Sequence, residues 1–132
     1  ERYGCSAVAL LEGNPRRALV VGGRDDNNDL NLNTTEVLDL DTMAFSRGPT
    51  MRAARQGCAA VLLGGDSRRS CLVIGGREDR KTVNTTEVLD LDTMEFTDGP
   101  AMLAQRRTSC AAAADDAGGR VFVLGGGSLV ME

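Results

Sequence analysis

The chain has 132 residues, the length of one domain, and 15 Lys+Arg against 19 Asp+Glu give it a net charge of −4. That mild acidity argues against a nucleic-acid binder, which carries a concentrated basic surface. Histidine is absent, which removes the commonest general base and the commonest metal ligand together, and no apolar run reaches the roughly 20 residues that span a bilayer as a helix.

In chain order, the first predicted strand lies in ERYGCSAVAL (1–10), which aligns with ARQGCAAVLL (54–63) and, with one extra residue before Cys110, with QRRTSCAAAA from Gln105. Each is an arginine followed by small apolar residues. Alanine has weak strand propensity, but small side chains suit a strand placed where neighbouring sheets converge. Turn-forming segments follow: EGNPRR (12–17), GGDSRRS (64–70) and DDAGGR (115–120). Their Arg pairs, Arg16–Arg17 and Arg68–Arg69, like Arg106–Arg107, are far apart and interrupted by acids, the pattern of solvated loops.

The second strands are ALVVGG (18–23), CLVIGG (71–76) and VFVLGG (121–126), continuous apolar runs that each stop at paired glycines. Paired glycines at strand ends predict positive φ or a backbone approach that leaves no room for a Cβ. A dinucleotide site is excluded, because no G-x-G-x-x-G follows these strands and no helical pattern opens after them. Next come two unlike charged loops, RDDNNDLNLN (24–33) and REDRKTVN (77–84).

The loops lead into NTTEVLDLDTM at Asn33–Met43, which returns letter for letter at Asn84–Met94. It reads as a third strand over Glu36–Leu40, with Val37 and Asp39 on one face and Leu38 and Leu40 on the other. A turn follows in which the Asp41 side chain is expected to hold backbone N–H groups. Phe45 and Phe96 then open an outermost fourth strand that ends at Pro49 and Pro100, since proline cannot donate to a ladder. Asn33 and Asn84 begin N-x-T sequons, which glycosylation in a secreted protein and simple duplication explain alike. The four cysteines, Cys5, Cys58, Cys71 and Cys110, form no C-x-x-C pair, which argues against a zinc site. Their even number would permit two disulfides in a secreted protein, but three of them recur in Ala-rich runs and read as small buried hydrophobes.

A period near fifty, with each copy too short to hold a core alone, is the signature of a repeat architecture. Four short strands per repeat, the end-of-strand double glycine and the E-V-x-D-x-x-T-x-x-aromatic element resemble the kelch family of β-propellers. The resemblance covers repeat 1 at 2–51, repeat 2 at 55–102 and a partial repeat 3 at 106–126. It departs from the family where Tyr and Trp are usual: those positions hold Leu38 with Phe45 and Leu89 with Phe96. The resemblance implies an all-β fold of four-stranded antiparallel blades in an incomplete propeller. Since propellers close with about four to eight blades, the chain is expected to be a fragment of a longer one or to associate with other copies.

By the same resemblance, the loops between second and third strands and the starts of the first strands share one face. The candidate partner-binding residues there are Arg24, Asp25, Asp26, Arg77, Glu78, Asp79 and Arg80, with Arg2, Arg55 and Arg106 at the first-strand starts. These arginines suit carboxylates of an acidic peptide segment in a protein partner; alternatively they satisfy carbonyls and carboxylates of the frame itself. A non-catalytic protein-interaction module, with no cofactor, no metal, no nucleic acid and no membrane, is the expectation. The alternative is a carbohydrate-binding or sugar-modifying propeller with its active part outside this chain, but galactose-oxidase-like copper chemistry needs His and Tyr ligands and only Tyr3 is present.

Overall fold

The computed structural model describes residues 1–11, 15–64, 69–103, 108–115 and 119–127. Every regular element among the described residues is a β-strand, and all pairings between strands are antiparallel. In chain order they are β1 (Arg2–Tyr3), β2 (Ser6–Leu10), β3 (Arg17–Val21), β4 (Arg24–Asp25), β5 (Leu30–Asn31), β6 (Thr35–Asp39) and β7 (Ala44–Arg47) in the first repeat. The second repeat supplies β8 (Ala59–Leu63), β9 (Ser70–Ile74), β10 (Arg77–Glu78), β11 (Lys81–Thr82), β12 (Thr86–Asp90) and β13 (Glu95–Asp98). A last pair, β14 (Thr108–Ala114) and β15 (Val121–Gly127), follows.

Sheet one is a four-stranded meander, β2-β3-β6-β7, and sheet two repeats it as β8-β9-β12-β13. Register is conserved between them: Val8 lies opposite Leu19 and Leu19 opposite Val37, as Val61 lies opposite Leu72 and Leu72 opposite Val88. The third strand begins one residue earlier than its expected Glu36 start. The last turn also differs: Asp39, not Asp41, accepts from the N–H groups of Asp41 and Thr42, both at 2.9 Å. Those bonds, from Thr42 first, hold the Asp39 carboxyl below its ordinary pKa. Asp41 instead pairs with Arg16 at 3.0 Å. Asp90 repeats the Asp39 geometry with Asp92 and Thr93.

The expected first strand is broken at Gly4, whose φ is +63°, so that β1 leaves sheet one and pairs with β4, which pairs in turn with β5, in a three-stranded ribbon. In the second repeat β10 pairs with β11, and a single Gln56–Arg77 bridge stands where Tyr3–Arg24 stood. The two charged loops are therefore small hairpins, not irregular coil.

The sheets stack face to face. Val8, Leu19, Val21 and Val37 of sheet one share a buried cluster with Cys58, Cys71, Val73 and Leu89 of the second repeat. On the other face of sheet two, Ala59, Val61 and Ile74 pack with Cys110, Ala112, Val121 and Val123 of the last pair. The first strands β2, β8 and β14 run next to one another, joined at their starts by Gly57 N–H to the Gly4 carbonyl and Ser109 N–H to the Gly57 carbonyl, both 2.7 Å. This close approach explains why alanine-rich segments form strands here: large side chains would not fit between them.

Covered and uncovered copies of the same residue differ sharply. Leu89 is fully buried, which contributes about 1.5–3 kcal/mol, whereas its repeat equivalent Leu38 lies half-buried on the free face of sheet one. Phe96 packs against the first cluster while its equivalent Phe45 is 61% exposed. Phe122 and Leu124 are exposed on the free face of the last pair. The fourth strands β7 and β13 each form one edge of their sheet and end two residues before Pro49 and Pro100.

Candidate functional site

The two loop hairpins stand side by side and enclose an open cleft of about 440 Å³ lined by Tyr3, Arg24, Asp29, Gln56, Arg77, Asp79 and Arg80. Each hairpin starts directly after a double glycine, so the strand end fixes the position of Arg24 and Arg77. One side chain ties the hairpins together. Asn31 accepts from Arg24 Nη1 at 3.2 Å and donates its amide to the carbonyls of Arg77 (2.9 Å) and Asp79 (3.2 Å).

Arg24 and Arg77 occupy equivalent positions but have different surroundings. The Arg24 guanidinium donates to Asn31 and to Asp29, and the Asp29 bond raises its pKa above the ordinary value. Arg77 has no such partner among the described residues, and its Nε is buried without a hydrogen bond. A buried, unsatisfied donor on a charged group costs more than an exposed one. Arg80 and Asp79 line the same cleft and are exposed.

The remaining candidates separate by role. Asp25 closes its own turn by accepting from Asn27 N–H at 3.0 Å and Asn28 Nδ2 at 2.6 Å, and these bonds, from the Asn28 side chain first, lower its pKa. Asp26 is exposed at the same turn but outside the cleft lining. Glu78 is 40% exposed and stands 3.9 Å from Arg55.

Arg2 and Arg55 belong to the frame. Arg55 donates Nε to Glu87 at 2.8 Å, Nη1 to the carbonyls of Gly75 (2.8 Å) and Thr85 (3.1 Å), and Nη2 to Thr85 Oγ1 at 2.9 Å. With 1% of its surface exposed, it has nothing to offer a partner. Arg2 repeats this set on Gly22, Thr34 and Glu36. Arg106 lies outside the described residues. The sequence signal that identified the arginines could not distinguish these two uses. Tyr3, Asp29 and Gln56 were not legible as site residues, because Tyr3 and Gln56 reach the cleft by pairing with Arg24 and Arg77 and Asp29 by the turn of the first hairpin.

Asn84 donates its side-chain amide to the Met102 carbonyl at 3.1 Å and so ties the start of the third strand to the end of the repeat. Cys58 and Cys71 are buried, and burial pushes their thiols up to about 11 and about 12. At pH 8 they are expected to stay unmodified by a thiol reagent in the native chain, while exposed Cys5 reacts. Below their ordinary pKa of 9.0 both folded and unfolded states hold these protons. Above it the unfolded state releases them first, so stability falls as pH rises through that window. A urea series from pH 8 to 10.5 checks this, the decline being shallower in the Cys58→Ala/Cys71→Ala chain.

Comparison with models of known protein families gave no match to this chain, and comparison with curated proteins gave none either.

Proposed function

We propose that the chain is a run of kelch-type β-propeller units acting as a non-catalytic protein-interaction module, with the hairpin cleft as its binding surface. Two sheets of identical strand order, a third begun beside them and first strands packed side by side support the propeller reading. So do the uncovered faces of sheet one and of the β14–β15 pair, where further units or a second copy would continue the stack. The partner class is an acidic peptide segment. The observation that carries it is Arg77: a guanidinium lining an open cleft, with no carboxylate paired to it among the described residues.

Arg80, beside it, adds a second exposed cation. A peptide carboxylate placed on Arg77 would accept charge-assisted bonds of the kind worth about 1.5–3 kcal/mol. The test is fluorescence anisotropy of labelled short peptides carrying a glutamate on a Gly/Ser background, against glutamine controls. Arg77→Gln is expected to weaken glutamate-peptide binding by about 10–100-fold with the urea midpoint nearly unchanged. Equal binding of glutamate and glutamine peptides, or binding indifferent to Arg77→Gln, rejects the reading.

A further inference from the structure

We propose that Asp29 is a built-in occupant of the cleft: its carboxylate holds Arg24 and so withdraws that guanidinium from incoming carboxylates, which are left Arg77 and the exposed Arg80. This rests on the acidic-peptide reading above and adds a determinant of which acidic segments bind.

The argument starts from the duplication. Repeat-equivalent residues are 53 apart up to the hairpins and 51 apart after them, so the first hairpin carries two additional residues. Arg24 and Arg77 are the same position, opposite Asn31 and Thr82 in their hairpins and bridged to Tyr3 and Gln56 on the other side. The shorter hairpin turns at Asp79–Arg80 directly between Glu78 and Lys81. The longer one turns through Asp26, Asn27, Asn28 and Asp29 between Asp25 and Leu30. Its last turn residue, Asp29, adopts φ +54°, and its side chain reaches back to the Arg24 guanidinium.

Among the described residues no other carboxylate takes that position. Asp25 is held by Asn27 and Asn28, and Glu78 stands toward Arg55. Asp79 lines the cleft without an ion pair among the described residues. Asn31 fixes the two hairpins to each other, so the arginines hold a constant spacing. The Asp29 side chain is 86% exposed, which leaves it open to removal without disturbing the core. The insertion thus converts one of two equivalent cation sites into a filled one, by the same carboxylate–guanidinium chemistry that an acidic ligand would use.

Asp29→Asn is the suitable variant, because asparagine tolerates the left-handed conformation of this position while losing the charge. Binding is measured by anisotropy on the full chain with peptides bearing one glutamate or two glutamates at varied spacing. Arg80→Gln is present in every chain compared, including the reference here called wild type, so that this exposed cation does not take the second glutamate. In the wild type the second glutamate is expected to change affinity by less than about twofold. In Asp29→Asn, the best-spaced two-glutamate peptide is expected to gain about tenfold over the one-glutamate peptide, a gain abolished by adding Arg24→Gln. A wild type that already gains from the second glutamate overturns the proposal. So does an Asp29→Asn chain that binds the one-glutamate peptide through Arg77 yet gains nothing from the second, and the acidic-peptide reading then stands alone. If neither chain prefers glutamate over glutamine peptides, the acidic-peptide reading itself has failed and the proposal falls with it. Asp29→Gly, which also accepts this φ, repeats the comparison should Asp29→Asn alter the urea midpoint.

Discussion

Glu87→Ala is expected to destabilise the chain by about 3–5 kcal/mol, and Glu36→Ala, the same substitution one repeat earlier, by about 1 kcal/mol or less. The two glutamates sit in identical TTEVLDLDTM contexts and pair with repeat-equivalent arginines. Their environments differ because sheet one covers one of them. The Arg55–Glu87 side chains are 2% and 1% exposed at 2.8 Å, whereas Arg2–Glu36 are 16% and 46% exposed at 3.6 Å.

Removing Glu87 leaves the buried Arg55 charge uncompensated and also strands the Arg52 N–H, which donates to Glu87 Oε1 at 2.6 Å. Water compensates Arg2 when Glu36 is lost. Urea midpoints for the two single variants and for Arg55→Met/Glu87→Leu measure this. The double variant is expected to be more stable than Glu87→Ala, since no charge is left buried alone. Equal losses for Glu36→Ala and Glu87→Ala would show that sheet one does not cover sheet two in solution.

Gly22→Ala is expected to cost about 3 kcal/mol or more, against about 1–2 kcal/mol for Gly125→Ala. Both glycines follow the apolar run of a second strand with nearly the same φ, +63° and +66°, Gly22 just after β3 and Gly125 within β15. At Gly22 an added methyl would collide with the Arg55 carbonyl, the acceptor of Gly23 N–H at 2.7 Å. The substitution therefore adds the left-handed penalty to the loss of a backbone bond between sheet one and the chain leading into sheet two. At Gly125 no atom of the described residues lies within 4 Å of such a methyl, so among them only the backbone conformation opposes it. Thermal unfolding of the two variants side by side separates conformational cost from steric cost.

The sequence was most informative where a residue's role is local. Alternation in EVLD, β-branched runs ending in paired glycines and proline at the last strand specify strands, their order and their edges, because those preferences act through the residue's own backbone and its nearest neighbours. The positive φ of the paired glycines was legible for that reason. So was the location of a candidate cleft, since two unlike hairpins on a repeated frame point to the segment that varies.

The tertiary structure decided what each repeated residue does. Arg55 and Arg77 look alike as charged residues flanking strands, yet one is buried on Glu87 and the other opens into the cleft with a donor unsatisfied. Leu38 and Leu89 are identical in sequence context and opposite in burial, because only the second has a sheet above it. Asp39 rather than Asp41 closes the turn, and Asp29 reaches Arg24 only because two added residues lengthen one hairpin. Composition and periodicity determined the repeated strands by themselves. Which copy is covered, and which cation is left open, depends on stacking between residues far apart in the chain, and identical sequence copies cannot encode that difference.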